Sequence, residues 1–197
     1  MARDMTPVLK RCRSLGLEPT YLGIDKKSNR NAREGRKPSE YSLQLKEKQK
    51  AKFIYGVLEK PFRNNYEKAQ KLKYGTTGEN LLILLELRLD NVMFRLGYGR
   101  TRKEARQIVG HKHVLVNGKP VNIPSYQVKV GDVIEVKEKH KSAQRYKDIL
   151  EQTGARVVPE WLEADHENLS GVVKEIPTRE IIDVPVDEML IVELYSK

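Results

Sequence analysis

Apolar residues recur at helical spacing through most of the first half of the chain. No glycine or proline interrupts residues 40–55, and a serine at position 39 or 42 can cap the first turn, so a helix is predicted over 39–58. A second helix is predicted from about residue 64 to 74. A long apolar stretch over 77–87 continues at helical spacing through 89–96 until two glycines end it. This stretch is the strongest core candidate.

The segment from Arg100 to Gly110 predicts a short amphipathic helix. Thr101 and Glu104 have the spacing of a capping box, so the helix should begin at Arg102 and end at Gly110. Three apolar residues fall at i, i+3 and i+4 and should face the core: Ala105, Ile108 and Val109. The cations are predicted on the exposed side, near the positive end of the helix dipole, where they would attract anions: Arg102, Lys103 and Arg106.

Alternating apolar residues follow and predict strands. Asn117-Gly118 lies between two apolar runs and indicates a tight hairpin. Apolar residues also alternate on both sides of Gly131-Asp132, which predicts a second turn with further strands over 128–136. Helices followed by a hairpin and strands therefore occupy about 60 residues, a small domain.

Charge is segregated along the chain. Lys and Arg number 37 against 27 Asp and Glu, a net charge of +10. The net charge is +11 over residues 1–75, +7 over 76–147 and −8 over 148–197. A basic body of this kind favours a surface that binds a polyanion such as nucleic acid.

Several classes of protein are disfavoured by composition. The apolar fraction of 39% is enough for a modest core. No apolar run approaches the roughly 20 residues needed to span a bilayer. No secretory signal is visible, and Cys12 is the only cysteine, so we expect no intrachain disulfide and a cytoplasmic setting.

Two basic regions leave alternatives open. Residues 1–40 predict an extended arm, which is either a solvated tail or is ordered by phosphate contacts. Within the helix over 39–58, Lys46 and Lys50, and also Lys48 and Lys52, stand at i,i+4, where like charges repel. The lysines either meet external anions or form a solvated face.

Residues 87–136, with their helices, hairpin and strands, resemble the S-four RNA-binding domain. The whole chain resembles the bacterial small-subunit ribosomal protein S-four family. The motifs that carry this resemblance occur in order, with no large insertion: Ser39-Glu40-Tyr41-Ser42-Leu43-Gln44-Leu45-Lys46-Glu47-Lys48-Gln49-Lys50, Leu87-Arg88-Leu89-Asp90-Asn91-Val92, Arg100-Thr101-Arg102 through Gln107, Val121-Asn122-Ile123-Pro124-Ser125-Tyr126 and Leu190-Ile191-Val192-Glu193-Leu194-Tyr195-Ser196.

The resemblance implies an α+β fold in which a helical domain is built from both chain ends. We expect a basic extension over 1–40, a helical domain over 41–86 that is completed by 150–197, and an inserted S-four domain over 87–149 with helices on a small antiparallel sheet. The acidic C-terminal segment would then pack on residues 41–86.

The resemblance also implies a function. The family binds small-subunit ribosomal RNA directly and early in assembly. It contacts ribosomal protein S-five, a contact that affects decoding accuracy, and lies near the messenger RNA entry path. We therefore expect a cytoplasmic protein of the small ribosomal subunit and no enzyme.

RNA recognition is expected to rest on phosphate and shape contacts made by two cationic modules held at a fixed distance. The candidate RNA-binding residues are Lys46, Lys48, Lys50, Lys52, Arg88, Arg100, Thr101, Arg102, Lys103, Arg106, Gln107, His111, His113 and Asn117. Asn117 has a structural alternative, since it suits a tight turn, and a further candidate, Tyr126, is equally explained by packing.

No cofactor or metal is expected. Some members of the family bind zinc through several cysteines in the N-terminal arm, whereas this chain has only Cys12 and four scattered histidines.

Two alternatives remain. An RNA-modifying enzyme with an S-four domain needs a catalytic domain, for which about 50 remaining residues leave little room. The chain also lacks the common phosphate-loop, nucleophile-elbow and zinc-protease motifs. A free-standing RNA-binding factor is the second alternative, and co-sedimentation with small subunits at high salt would separate it from a ribosomal component.

Overall fold

The computed structural model of the protein describes residues 6–26, 30 and 37–196. The chain divides into two units: unit 1 comprises residues 1–82 and 183–197, and unit 2 comprises residues 83–182.

Helices and one small antiparallel sheet make up the described part of the chain. The helices are α1 (Val8–Leu15), a 3-10 turn (Pro19–Leu22), α2 (Glu40–Tyr55), α3 (Glu59–Lys71), α4 (Thr77–Glu86), α5 (Leu89–Arg95), α6 (Arg102–Gly110), α7 (Glu138–Lys141), α8 (Gln144–Thr153) and α9 (Glu188–Tyr195). The strands are β1 (Val114–Val116), β2 (Lys119–Val121), β3 (Val133–Val136), β4 (Leu162–Asp165) and β5 (Ser170–Val173). The α+β prediction is confirmed.

Unit 1 brings the two chain ends together through α2 and α9. The amide nitrogen of Gln44, a fully buried residue, donates to the Glu193 carboxylate at 3.0 Å. The Tyr195 ring stacks on Tyr66 with 4.5 Å between centroids. The C-terminal helix therefore packs on the segment that follows the basic arm.

Unit 2 is a five-stranded antiparallel sheet, in the order β2-β1-β3-β5-β4, with helices packed against it. Its core combines apolar residues of α5, α6 and the strands, and it includes Met93, Ile108, Val114 and Trp161, each at most 1% exposed. Burial of these side chains supplies the main favourable free energy of the unit.

Two features of unit 2 were predicted correctly from local motifs. The Thr101 hydroxyl accepts from the Glu104 amide at 3.2 Å, so α6 begins at Arg102 as predicted. Asn117 and Gly118 have φ values of +50° and +74° and connect β1 to β2, which confirms the predicted hairpin.

Three sequence expectations differ from the structure. Residues 8–15, predicted as part of an extended arm, form α1, and residues 1–5, 27–29 and 31–36 of the arm lie outside the described residues. Residues 128–130 form no strand, because the Val128 amide donates to the Leu87 carbonyl at 2.9 Å instead of entering the sheet. Helix α3 begins earlier than expected, since Pro61 is tolerated in its first turn.

The expected domain boundary at residue 150 also differs. Residues 150–182 belong to unit 2, since β5 pairs with β3 and β4 pairs with β5 in the same sheet. Only residues 183–197 join unit 1. The alternation over 162–173 is short, and its pairing partner β3 lies far away in sequence, so local pattern did not reveal these strands.

Candidate nucleic-acid interface

The N-terminus of α6 gathers cations around a single carboxylate. Arg100 contacts Glu104 through Nε and Nη2, each at 3.0 Å, and its backbone amide donates to the same carboxylate at 3.0 Å. Arg145 of α8 adds a 3.2 Å contact. Partial burial would raise the pKa of Glu104, but its contacts with Arg100 and Arg145 outweigh burial and lower it. Glu104 thus holds two guanidiniums at one edge of α6.

Four predicted site residues lie at the surface of α6 or beside it. Arg100, Lys103 and Gln107 are exposed. Arg106 is half-buried, and its Nη1 lies 3.4 Å from the Asp90 carboxylate. These side chains can therefore present positive charge and hydrogen-bond donors to a ligand, while Thr101 serves as the helix cap.

Arg102 was expected on the exposed side of α6, and this expectation is wrong. The residue is 7% exposed, and its Nε donates to the Asn91 side-chain oxygen at 2.7 Å. Its guanidinium lies 4.2 Å from the centre of the Phe94 ring. The position is therefore part of the folded interior of unit 2.

Arg88, the other buried arginine among the candidates, is 3% exposed. It makes a two-point ion pair with Asp90, at 3.0 and 2.7 Å. The same Asp90 contacts Arg106, so a buried carboxylate links the two arginines. The expected phosphate contact of Arg88 does not fit this placement, because its guanidinium is engaged inside the protein.

Arg156 was missed by sequence reasoning. Its guanidinium lies 4.3 Å from the centre of the Phe94 ring and donates to the carbonyl oxygens of Phe94, Gly99 and Arg100 at 3.0 to 3.3 Å. It therefore fixes the backbone that presents Arg100. No short motif in the sequence signals this contact, which spans more than 50 positions.

Three histidines lie near the other end of α6. His113 stacks on His140 with 3.9 Å between ring centroids, and His111 is exposed. Burial, helped by the neighbouring His140, Arg145, His111 and Lys137 charges, lowers the pKa of His113. The pKa of His140 is also lowered, by desolvation and then by Lys139 and Lys137.

Sequence reasoning also passed over the cations of residues 137–145, although the run Lys137-Glu138-Lys139-His140-Lys141 is visible in the sequence. Lys137 and Arg145 lie close enough to His113 to depress its pKa, while Arg145 also contacts Glu104. Arg145 therefore lies beside the start of α6, and Lys137, whose amide donates to the His113 carbonyl at 2.8 Å, lies beside the residues that follow its end. We define the basic surface of unit 2 as Arg100, Lys103, Arg106, His111, His113, Lys137, His140 and Arg145.

Asn117 has its side chain engaged within the fold. Its amide nitrogen donates to Asp132 at 2.8 Å, and its side-chain oxygen accepts from the Val133 amide at 2.9 Å. The residue is exposed, so an RNA contact there stays a prediction, but its hydrogen bonds already explain its place in the turn.

The lysines of α2 have intramolecular partners. Lys48 and Lys52 both contact Glu59 of α3, at 3.0 and 2.6 Å, and Lys50 contacts Glu47 at 2.6 Å. Lys46 is exposed. Acidic neighbours therefore offset much of the repulsion expected along this helix, and Lys46 is the most accessible of the four.

Glu59 shows the strength of this lysine cluster. Burial would raise the pKa of its carboxyl, but the hydrogen bonds and positive charges of Lys52 and Lys48 lower it to about 2. The cluster stabilises the α2–α3 corner of unit 1 as well as contributing positive charge.

Two negative findings apply to residues 6–26, 30 and 37–196. No group of three or more histidine, cysteine or acidic side chains is arranged there to hold a metal ion. Within the same ranges, no helix has the length and apolar character needed to cross a bilayer.

Unit 2 thus combines α6 and its basic surface with a small antiparallel sheet. Residues 87–134 match the family described as the S4 domain, and residues 3–86 match the ribosomal protein S4/S9 N-terminal domain. Curated relatives match the chain along its whole length. The chain belongs to the S-four family of small-subunit ribosomal proteins.

Three relatives illustrate the breadth of the match. The small ribosomal subunit protein uS4 of Lachnoclostridium phytofermentans is 84% identical over 198 residues, and that of Lachnospira eligens is 75% identical over 198 residues. The protein of the same name from Fusobacterium nucleatum is 50% identical over 199 residues. Each alignment covers 100% of both chains. These names describe a ribosomal protein and not an enzyme.

Proposed function

We propose that this chain binds small-subunit ribosomal RNA directly, nucleates assembly of the body of the small subunit, and supports translational accuracy at a contact with ribosomal protein S-five. Its place beside the messenger RNA entry path belongs to the same proposal. As a member of its family, the chain is a component of the small ribosomal subunit of the bacterial cytoplasm.

The observation that supports RNA binding best is the basic surface of unit 2. Arg100 and Arg145 lie around Glu104, and Lys103 is exposed on the same helix. Cations at this density attract phosphates and release counterions, which is the main source of affinity for a nucleic acid backbone. Arg156 holds the backbone carbonyl of Arg100, so this part of the surface is ordered before a ligand arrives.

The proposed contacts are those of shape recognition. Guanidinium and ammonium groups on a rigid helix contact phosphates, while Gln107 and the histidines can donate to or accept from ribose hydroxyl groups. The lysines of unit 1, Lys46 above all, would add phosphate contacts. Arg88 and Arg102 would act indirectly: Arg88 holds Asp90, which contacts Arg106 of α6, and Arg102 of α6 bonds to Asn91 of α5.

The experiment compares two exposed lysines at different places in unit 2. Lys103→Gln removes one charge from the basic surface, and Lys174→Gln removes one charge beside Glu163, at a distance of 3.3 Å on the β4–β5 side of the sheet. Filter binding to a transcript of the 5′ domain of small-subunit RNA should show weaker binding for Lys103→Gln and unchanged binding for Lys174→Gln. The double variant Arg100→Gln with Lys103→Gln should bind more weakly still.

Equal affinities of these variants and the unaltered chain would contradict the role of the basic surface. Failure of the unaltered chain to bind the transcript in dilute buffer would contradict direct RNA binding as a whole. For assembly, reconstitution of small subunits without this chain should yield particles that lack an ordered body, and its addition should restore them.

A further inference from the structure

We propose that Tyr74 is a stacking platform for an unpaired base of the RNA that this chain binds, with Lys71 and Lys73 neutralising the phosphates beside that base. This inference rests on the function proposed above, and it adds a contact site in unit 1 that lies outside the basic surface of unit 2.

Tyr74 lies in the connection between α3 and α4, and it is 85% exposed. Its neighbour Leu72 is 47% exposed. A tyrosine ring is a large, flat, mostly apolar surface, and leaving it in water forgoes the stabilisation that burial would bring. The fold of unit 1 does not use this ring in its core.

The backbone that carries Tyr74 is held firmly in place. The side-chain nitrogen of Asn80, a residue only 7% exposed, donates to the Tyr74 carbonyl at 2.5 Å. Gly75 follows with a φ of +68°, a conformation that favours glycine. The ring is therefore presented from an ordered turn, and binding would require little additional ordering.

A reciprocal cap fixes the next residues. The Thr76 hydroxyl accepts from the Glu79 amide at 3.3 Å, while the Glu79 carboxylate accepts from the Thr76 amide at 2.9 Å. Together the two contacts form a capping box at the start of α4. They also engage the acidic group nearest in sequence to Tyr74.

Three lysines closely precede Tyr74 in the sequence. Lys68 and Lys71 occupy the last turn of α3, Lys73 adjoins Tyr74, and all three are exposed. Glu67, the other nearby acidic residue, pairs with Arg63 at 3.3 Å. An exposed aromatic ring among exposed lysines is the combination with which proteins bind single-stranded segments of RNA.

This combination favours a nucleotide over a protein or lipid partner. Base stacking on an aromatic ring contributes about 1–3 kcal/mol per base and tolerates any base, while adjacent lysines contact the backbone. A single ring with one neighbouring leucine offers too little apolar surface for a stable protein interface, which needs about 1,000 Å² or more.

The test uses the full chain and the 5′-domain transcript. Tyr74→Ala should weaken binding by about 5- to 150-fold, whereas Tyr74→Phe should keep the affinity, because stacking needs the ring and not the hydroxyl. Leu72→Ala is the control for loss of apolar surface in the same connection and should have little effect. Thermal melting should be unchanged in both Tyr74 variants, because that side chain is 85% exposed, and should separate any loss of stability in Leu72→Ala, whose side chain is 47% exposed, from a loss of binding.

Two further readouts separate stacking from charge. The salt dependence of binding should keep its slope in Tyr74→Ala, whereas Lys71→Gln and Lys73→Gln should each reduce it by about one. Zero-length ultraviolet crosslinking of reconstituted small subunits should attach the peptide containing Tyr74 to RNA.

The possible outcomes are distinct. Unchanged affinity of Tyr74→Ala, equal losses in Tyr74→Ala and Tyr74→Phe, or a crosslink to a protein would each overturn the inference. If the unaltered chain binds and Lys103→Gln weakens binding while Tyr74→Ala does not, only this inference fails. If the unaltered chain does not bind the transcript, the proposed function itself fails.

Discussion

Arg102 and Asn91 are joined by a 2.7 Å hydrogen bond inside unit 2, and this contact makes a cation of α6 part of the protein interior. Asn91 in turn donates to the backbone carbonyl of Glu86 at 2.9 Å. The pair therefore connects the start of α6 to the end of α4 through one buried amide. Arg102 holds the helix that displays Arg100 and Lys103, and does not display charge itself.

Replacement of Arg102 should destabilise the protein. Arg102→Ala leaves the buried oxygen of Asn91 without its donor and removes the guanidinium from the Phe94 ring, so we expect a loss of about 1–3 kcal/mol in the free energy of unfolding. Urea unfolding measures this loss. Lys103→Ala, one position along the same helix but exposed, should stay within about 0.5 kcal/mol of the unaltered chain. Equal stabilities of the two variants would show that Arg102 is not structural.

A substitution at Gly171 would test how closely β5 packs against Leu96, at the end of α5. A β-carbon there would lie 2.5 Å from a methyl carbon of Leu96 and 2.9 Å from the Glu163 carbonyl oxygen. Gly171→Ala should therefore cost about 1–3 kcal/mol, as overpacking does in a dense core.

The control is Gly110→Ala at the end of α6, since a β-carbon at that position would lie within 4 Å of no described atom beyond its chain neighbours and its own helix backbone. It should leave stability unchanged or raise it by up to about 1 kcal/mol. Equal unfolding midpoints for the two alanine variants would contradict the close packing of β5.

Acid should remove the contribution of Glu59 to stability. Its pKa falls from an ordinary 4.5 to about 2 in the folded protein, so the unfolded chain takes up the proton first as the pH drops. The stabilisation is present above pH 4.5 and is lost towards pH 2. Glu59→Gln should lower the melting temperature at pH 7, and the difference from the unaltered chain should shrink through this window.

Glutamine keeps an acceptor for the Tyr195 hydroxyl, which lies 3.1 Å from the Glu59 carboxylate. The matched control is Glu67→Gln, which removes an exposed ion pair on the same helix and should have a smaller effect at pH 7. A difference between Glu59→Gln and the unaltered chain that persists unchanged at pH 2 would refute the ion-pair explanation.

The histidine cluster predicts a second pH effect with the same direction. The pKa of His113 lies below its ordinary 6.5, so the unfolded chain binds a proton at a pH where the folded chain does not. Stability should therefore fall as the pH drops below 6.5. Melting at pH 7.5 and 5.5 should show a smaller acid-induced loss for His113→Asn than for the unaltered chain. Identical losses would show that the pKa of His113 does not differ between the folded and the unfolded chain.

Short motifs in the sequence were sufficient to predict the start of one helix, one tight turn and one apolar helix face. The cap at Thr101, the Asn117-Gly118 turn and the apolar side of α6 depend on residues within a few positions of one another. Each motif stabilises its own conformation, so no distant partner was needed to find it.

Distant contacts explain what sequence reasoning could not predict. Arg102 is buried because Asn91, 11 positions earlier, supplies an acceptor. Lys48 and Lys52 of α2 are less available to an external ligand because both are ion-paired with Glu59, which lies on α3. Strand β5 pairs with β3, more than 30 positions away, which moved residues 150–182 out of the expected helical domain. Long-range packing decided each of these placements.

The most direct measurement for the central claim is the salt dependence of binding between the full chain and the 5′-domain transcript of small-subunit RNA. If the exposed cations neutralise about 6–10 phosphates, the affinity should fall by about 10³–10⁵ between about 50 and 200 mM salt, on a scale established for duplex DNA. Lys103→Gln should reduce the slope by about one. An affinity that does not change with salt would contradict a phosphate-binding surface on this protein.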